Sequence, residues 1–530
     1  MPAHERGTYS SMSGSEIGDE QITSGNTDTA GLPAPRSLWV ETAPAPDRRG
    51  RALPTEVEVA VLGAGIAGLT TAFLLARAGR SVLVLEAGEV AGGVSGHTSA
   101  KLSAQHGLKY HSLTERKGAA AAALYARTQS AAIDWVERTA TELEIACGFS
   151  RRDSFVHTGS REQLDQLRKE VDAACAAGLP ASFADDIGLA VPSVGAVRFT
   201  GQAQFHPRRW LLGLAEEVER AGGMIVEGVR AQGVDERGVQ QVRTTHGTVR
   251  ARDVVVATHY PILDRGLFFA RLEPTRDLVV SGPVKSEKDR ISGMYLDSAT
   301  KHSVRGYESE TGPMAIVLGE HYRTGERIDV EARYRALAAW AREHAAVRTV
   351  THRWSAHDMS TVDSVPYVGG YHPTAKHLWV ATGFGQWGMS GGTAAGHLLC
   401  DLILGNENAS AALYDPNRMD ARGAVELAKA NGKVGKHFVG DHLRAAVDRT
   451  DLDDLPAGTA TVTTSGVRPV AAYRDDEGTL HKVGANCTHL GCVVAFNNAE
   501  KTWDCPCHAS RFGVDGSVIH GPATRPLPRL

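Results

Sequence analysis

Two short loops close to the end of the chain each pair a cysteine with a histidine: Cys487-Thr-His489, followed by Leu-Gly-Cys492, and Cys505-Pro-Cys507-His508. A strand-length spacer holding Val493, Val494 and Phe496 separates them, so both loops can offer one thiolate and one imidazole to the same centre. Two cysteines on one iron and two histidines on the other is the ligation of an asymmetric [2Fe–2S] cluster. Tetrahedral zinc accepts the same residue types, but zinc loops group Cys with Cys and His with His, and zinc would leave two cysteines idle. Those two, Cys492 and Cys507, sit one per loop at matching offsets and could close a disulfide that clamps both loops.

In family order, Cys-Thr-His-Leu-Gly-Cys, Cys-Pro-Cys-His and Gly521-Pro522-Ala523 resemble the Rieske [2Fe–2S] domain over roughly the last 80 residues, a usual size for a small domain. The resemblance implies Cys487 and Cys505 on the inner iron, and His489 and His508 on the outer one. Ser510 lies where respiratory members have a hydroxyl bonded to a cluster sulfur, and Phe512 where many have a tyrosine. Hydrogen bonds to the sulfurs raise the potential, so a missing phenol predicts a value below the family's upper limit of about +300 mV.

Near the other end, Glu56-Val-Glu-Val-Ala-Val-Leu62 reads as a buried strand and runs straight into Gly63-Ala-Gly65-Ile-Ala-Gly68. Residues 69–78 are helical in pattern, 81–85 form a second strand, and Glu86 closes it. In such a unit the glycines permit a tight turn and close approach of a pyrophosphate, which sits on the helix's unpaired N–H groups, while the acid reaches a ribose hydroxyl. Strand, glycines, helix, strand and acid in that order point to a dinucleotide site.

Later segments decide which dinucleotide. An apolar strand at 253–258 is followed by Leu378-Trp-Val-Ala-Thr-Gly383-Phe-Gly385-Gln-Trp-Gly388-Met389-Ser-Gly391, a glycine-rich turn leading into a helix at 392–404. A helix N-terminus there would face a flavin pyrimidine ring and stabilise negative charge on it. With Arg198-Phe-Thr-Gly201 through His206-Pro207, and Thr361-Val-Asp363-Ser-Val-Pro366-Tyr-Val-Gly369, the chain resembles the D-amino-acid oxidase superfamily of FAD oxidoreductases over residues 55–415. The resemblance implies FAD held by Gly63, Gly65, Gly68, Glu86, His97, Thr98, Gly383, Gly385, Gly388 and Met389. His97 lies in a loop that passes beside the flavin in this family, where some amine dehydrogenases attach FAD covalently. A loop histidine held by backbone hydrogen bonds is the other reading. No second G-x-G-x-x-G follows a strand, which argues against a separate nicotinamide site. Asp363 reads as a turn former before Pro366 rather than a catalytic acid. Trp354, Trp387 and Tyr367 suit a pocket wall or the core, and Cys147, Cys175 and Cys400 read as packing residues. No residue announces itself as a catalytic base.

The fold class expected is an α/β FAD-binding, Rossmann-like domain with an inserted α+β substrate domain, plus a small all-β Rieske domain. Residues 1–51, rich in Ser, Gly, Thr, Asp and Pro, read as a disordered tail. The FAD-dependent domain takes 52–415, with nucleotide-binding parts near 55–110, 198–262 and 350–410. A helical connector follows at 416–449, and the Rieske domain at 450–530. Helical patterning at 119–145, 161–177, 210–221 and 330–346 alternates with β-rich stretches such as 277–284 and 314–318.

A net charge of −4 over 530 residues gives no case for nucleic acid or a membrane surface. With no apolar run long enough for a span and no signal-like N-terminus, a cytoplasmic location is expected. A flavin takes two electrons as hydride, whereas a [2Fe–2S] cluster carries one. The pairing implies a dehydrogenase that oxidises an amine or amino-acid-like small molecule on FAD and passes electrons singly through the cluster to an acceptor protein. The alternatives are a reductase with a donor protein and the flow reversed, and a non-catalytic redox-sensing module.

Overall fold

The computed structural model describes residues 31–418, 451–465 and 468–530. Five parallel strands form the centre of the first sheet, in the order Leu378–Thr382, Gly247–Val256, Glu56–Leu62, Val82–Leu85 and Met224–Val226, with Tyr367–Gly370 antiparallel at one edge. Val59 and Val61 enter one hydrophobic core while Ala60 and Leu62 enter another. Both faces are thus covered, which is why this strand is nearly continuous in apolar residues. On one face the helices Ile66–Arg77 and Gly388–Leu404 cross closely: a Cβ on Gly392 would lie 2.6 Å from Ile66 Cγ2, and one on Gly396 2.5 Å from Thr70 Cγ2.

The second sheet is largely antiparallel. Its main path runs His352–Thr361, Leu272–Pro283, Gly312–Arg323, Ser303–Ser309, Met294–Asp297, Ser150–Thr158, Gly195–Gln204 and Lys101–Leu102. Helix Val330–His344 covers it through Val330, Tyr334, Leu337, Ala338 and Ala341. The C-terminal domain is all β: a three-stranded sheet over 460–484 and a four-stranded one over 495–520 enclose a core of Val494, Trp503, Phe512 and the cluster-loop cysteines.

The sequence reads all of 1–51 as a disordered tail, and for 31–51 the structure corrects this. Residues 31–51 lie against the flavin domain, with a one-turn helix Leu38–Glu41 capped by Ser37. Trp39 is fully buried, edge-on to His206 at 4.9 Å and to Tyr307 at 5.0 Å, and its indole N–H donates to the Thr98 carbonyl at 2.7 Å. A polar, glycine-rich composition masks one aromatic anchor whose socket is built by distant residues, and a single turn shows no periodicity. Residues 1–30 and nearly all of the expected connector lie outside the described residues. Cys147 and Cys400 are buried as expected, whereas Cys175 is exposed.

Candidate flavin cavity and cluster site

Strand Glu56–Leu62 delivers the chain to a cavity of ≈750 Å3. Gly63 turns there at φ +105°, and a Cβ on it would lie 2.5 Å from the Ala257 carbonyl oxygen. Gly68 is confined by contact, since its Cβ would sit 2.0 Å from the Gly63 oxygen. Gly65 is different: its φ is −89°, and a Cβ would meet only the Ser95 hydroxyl at 3.1 Å. The protein itself does not require glycine at 65. What the missing side chain leaves is open space at the N-terminus of helix Ile66–Arg77, and that space fits a pyrophosphate drawn close to unpaired amides.

Glu86 closes the turn by accepting from the amides of Ala64 and Gly88, each at 2.8 Å. Burial pushes its carboxyl up, with those two amides pulling against the shift. A carboxylate has lone pairs beyond these two bonds, so acceptor capacity remains for a ribose hydroxyl. His97 Nδ1 donates to the Gly93 carbonyl at 2.9 Å, which leaves Nε2 as its free nitrogen, and its own carbonyl accepts from the Trp354 indole at 3.0 Å. The loop is therefore held by backbone hydrogen bonds, whatever His97 does toward a ligand.

Gly63, Gly65, Glu86, His97 and Thr98 line the cavity, as do Gly388 and Met389 at the start of the later helix. Gly68, Gly383 and Gly385 do not reach it. The latter two shape the turn at φ +76° and +56°. Trp354 lines the cavity, Trp387 stacks on His106 at 4.7 Å outside it, and Tyr367 lies in the core beneath Arg271 and Arg418. Asp363 forms its turn by accepting from the Val365 amide, and also pairs with Arg418 at 2.8 Å and Lys117 at 2.9 Å.

One wall comes from the C-terminal domain. Glu500, Arg511 and His520 face the same cavity as the glycine turn. Glu500 accepts from Arg276 of the second sheet at 2.7 Å and also pairs with Arg511, which reaches Asp504 at 3.0 Å. Burial alone would raise the Glu500 carboxyl, but the Arg276 and Arg511 guanidinium groups hold it far below its ordinary range. Beside this triad three imidazoles converge from three segments. His259 Nδ1 lies 3.0 Å from His520 Nε2, and His357 is buried with neither nitrogen hydrogen-bonded. Burial, and then the neighbouring histidines, push His357 and His520 well below the usual imidazole range. They are neutral groups that can accept or donate a hydrogen bond. Nothing local in the sequence marks them, because each is useful only where the segments meet.

In the cluster loops, Cys492 and Cys507 form a disulfide, with Cα atoms 6.5 Å apart. Between the loops the His489 and His508 rings stand perpendicular at 5.0 Å, and Nδ1 of each is buried without a hydrogen-bond partner. Cys487 is drawn down to about 7, chiefly by its hydrogen bond with Cys505, and its partner is pushed the opposite way by that bond and by burial. Two free thiols and two bare imidazole nitrogens fit a mixed-ligand cluster, which takes thiolate sulfur and neutral ring nitrogen. Ser510 Oγ accepts from the Ala523 amide at 3.0 Å, tying the second loop to the segment after Gly521-Pro522. Phe512 is fully buried.

A parallel nucleotide sheet with a glycine turn, a second sheet over the cavity and a Cys₂His₂ loop pair on a β domain define a flavin oxidoreductase joined to an iron–sulfur domain. The sequence profile of the FAD dependent oxidoreductase family (DAO) matches residues 58–402, and that of the Rieske [2Fe-2S] domain matches 446–530. The chain belongs to the DAO family of FAD-dependent oxidoreductases and carries a C-terminal Rieske domain. Its cofactors are FAD and a Rieske-type cluster. YhfW of Bacillus subtilis (strain 168), named for a Rieske 2Fe-2S iron-sulfur protein, is 31% identical over 503 residues, 94% of this chain and 98% of that one. Glycine oxidase from Geobacillus kaustophilus superposes with a TM-score of 0.58 at 19% identity, over 69% of this chain and 100% of that one. L-proline dehydrogenase from P. horikoshii gives 0.57 at 18% identity, over 69% and 98%. At such identities the two structures speak to fold alone. The Rieske domain implies electron transfer to or from a partner. No helix among the described residues is long and apolar enough to cross a membrane.

Proposed function

We propose that the protein is a dehydrogenase acting on a CH–NH donor, an amine or amino-acid-like small molecule, with electrons leaving FAD one at a time through the Rieske cluster to an acceptor protein. The observation that carries this reading is the shared cavity: the Rieske domain supplies Glu500, Arg511 and His520 to the wall that faces Gly63 and Gly65. A domain kept only as a separate sensor has no reason to complete the flavin domain's pocket. FAD, when bound, supplies the hydride acceptor, and the protein's own residues orient, exclude water and handle protons. Gly65 and the amides at the N-terminus of helix Ile66–Arg77 hold the pyrophosphate, Glu86 a ribose hydroxyl, and Gly388 and Met389 the pyrimidine edge. Cys487 and Cys505 hold one iron, His489 and His508 the other.

An ammonium substrate must shed a proton before hydride can leave its carbon. His357, unpartnered in the cavity and held below the usual imidazole range, is the group we assign to hydrogen-bond the neutral amine once that proton has gone to solvent. An amino-acid-like substrate is supported by the fold shared with proteins named for glycine and L-proline. Anaerobic addition of amines, amino acids and hydroxy acids, with flavin absorbance followed, tests the assignment. Bleaching by an amine or amino acid supports it, and bleaching by hydroxy acids alone removes the CH–NH assignment.

A further inference from the structure

We propose that Asp264 of the flavin domain is a positioning residue for the cluster, fixing the tautomer of His489 and lowering the cluster's reduction potential. The inference rests on the ligand assignment above and is independent of the direction of electron flow. Nε2 of His489 lies 2.7 Å from Oδ1 of Asp264, across the seam between the domains. A carboxylate only accepts, so Nε2 carries the proton. Nδ1, buried and without a hydrogen-bond partner, then keeps its lone pair for iron.

The loop that carries Asp264 is anchored on both sides of it. The Tyr371 hydroxyl donates to the Leu263 carbonyl at 2.6 Å, and Arg265 donates to the Val234 carbonyl at 3.0 Å while pairing with Glu236. The other imidazole is treated differently. His508 makes no hydrogen bond to a carboxylate among the described residues and feels Asp264 only through longer-range attraction, and its ring stands edge-on to Phe269 at 5.7 Å. The two histidines of one cluster are therefore inequivalent, and the difference is imposed by the flavin domain.

Reduction adds one negative charge to the centre. A carboxylate hydrogen-bonded to a ligand disfavours that charge and makes the ring a stronger donor to iron, and both effects lower the potential. The His489 side chain is 8% exposed but that of Asp264 is 64% exposed, so water screens part of the effect and a moderate shift is expected.

The test is an EPR-monitored redox titration of the full-length protein with both cofactors. D264N and D264A should keep full iron and sulfide and shift the reduction equilibrium toward the reduced cluster by about threefold to tenfold, tenfold being about 59 mV for one electron. D264E should stay near wild type. Pulsed EPR of 15N-labelled protein should show two dissimilar imidazoles in wild type and a smaller difference in D264N. Unchanged potentials in both neutral variants at full iron content overturn the proposal and leave Asp264 a docking contact. If D264N holds no iron, D264E and D264Q are titrated instead, and equal potentials overturn it. Wild-type protein without iron and sulfide would refute the ligand assignment, a separate failure.

Discussion

The four groups proposed to hold the cluster lie on two neighbouring loops of one small domain, tied by the Cys492–Cys507 disulfide. The flavin cavity instead draws on the glycine turn after Leu62, the loop at 95–99, the strand His352–Thr361 and, across the seam, Glu500, Arg511 and His520. A centre built locally should survive loss of its neighbour. A cavity closed by another domain should not be indifferent to that domain's docking.

The largest effects come from removing each centre in turn. Cys487→Ala or Cys505→Ala should abolish the cluster while leaving FAD bound, because neither thiol touches the cavity. Gly65→Glu should exclude the pyrophosphate by bulk and charge and leave the cluster reducible by dithionite. Iron, sulfide and flavin analysis checks both, and loss of both cofactors from either variant would mean that the two centres do not form independently.

Next comes the seam. Glu500→Gln leaves Arg276 and Arg511 buried without their shared counter-charge, a change that costs about 3–5 kcal/mol when one partner of a buried pair is lost. Chemical denaturation should show that loss, and FAD retention should fall because the cavity wall loosens. A variant as stable as wild type would mean that the two domains meet more weakly than Arg276, Glu500 and Arg511 suggest.

Acid should act at the same place. His357 and His520 are held below the ordinary imidazole value in the folded protein, so the unfolded chain binds more protons below pH ~6.5. Their contribution to stability is fully present above that pH and is lost as pH falls, by up to about 1.4 kcal/mol per pH unit for each group. Denaturation midpoints measured from pH 7 to 5 should fall, and the His357→Gln/His520→Gln protein should show a shallower slope. His206, pushed down to about 3 by burial and by Arg209 and Arg305, adds to the same trend away from the seam.

The smallest expected change is within the cluster domain. Phe512→Tyr should raise the cluster potential by tens of millivolts if its hydroxyl reaches a ligand sulfur, hydrogen bonds to sulfur being one of the levers on potential. Protein-film voltammetry showing no shift would mean that the fully buried ring at 512 points away from the sulfurs.

What the sequence discloses follows the same division. The cluster loops, the strand–glycine–helix unit with Glu86, and the helical stretches near 119–145 and 330–346 are legible because their signals lie within a few turns or strands of chain. The three glycines are read together as a pyrophosphate turn, whereas the structure divides them: Gly65 leaves open space and Gly68 is confined by contact with Gly63. The Asp264–His489 contact joins residues 225 apart, and His259 meets His520 across 261. No local pattern encodes such pairs. Trp39 was hidden for a related reason, its partners Thr98, His206 and Tyr307 lying far along the chain.

Whether electrons enter at the flavin and leave through the cluster is decided by anaerobic rapid mixing of the holoprotein with a substrate found in the panel, following flavin absorbance and the reduced cluster's EPR signal. Flavin reduction should precede the cluster signal, and Cys487→Ala should keep fast flavin bleaching but fail to feed a one-electron acceptor protein. A cluster reduced before the flavin, or a Cys487→Ala protein that supplies its acceptor at the full rate, would contradict that path.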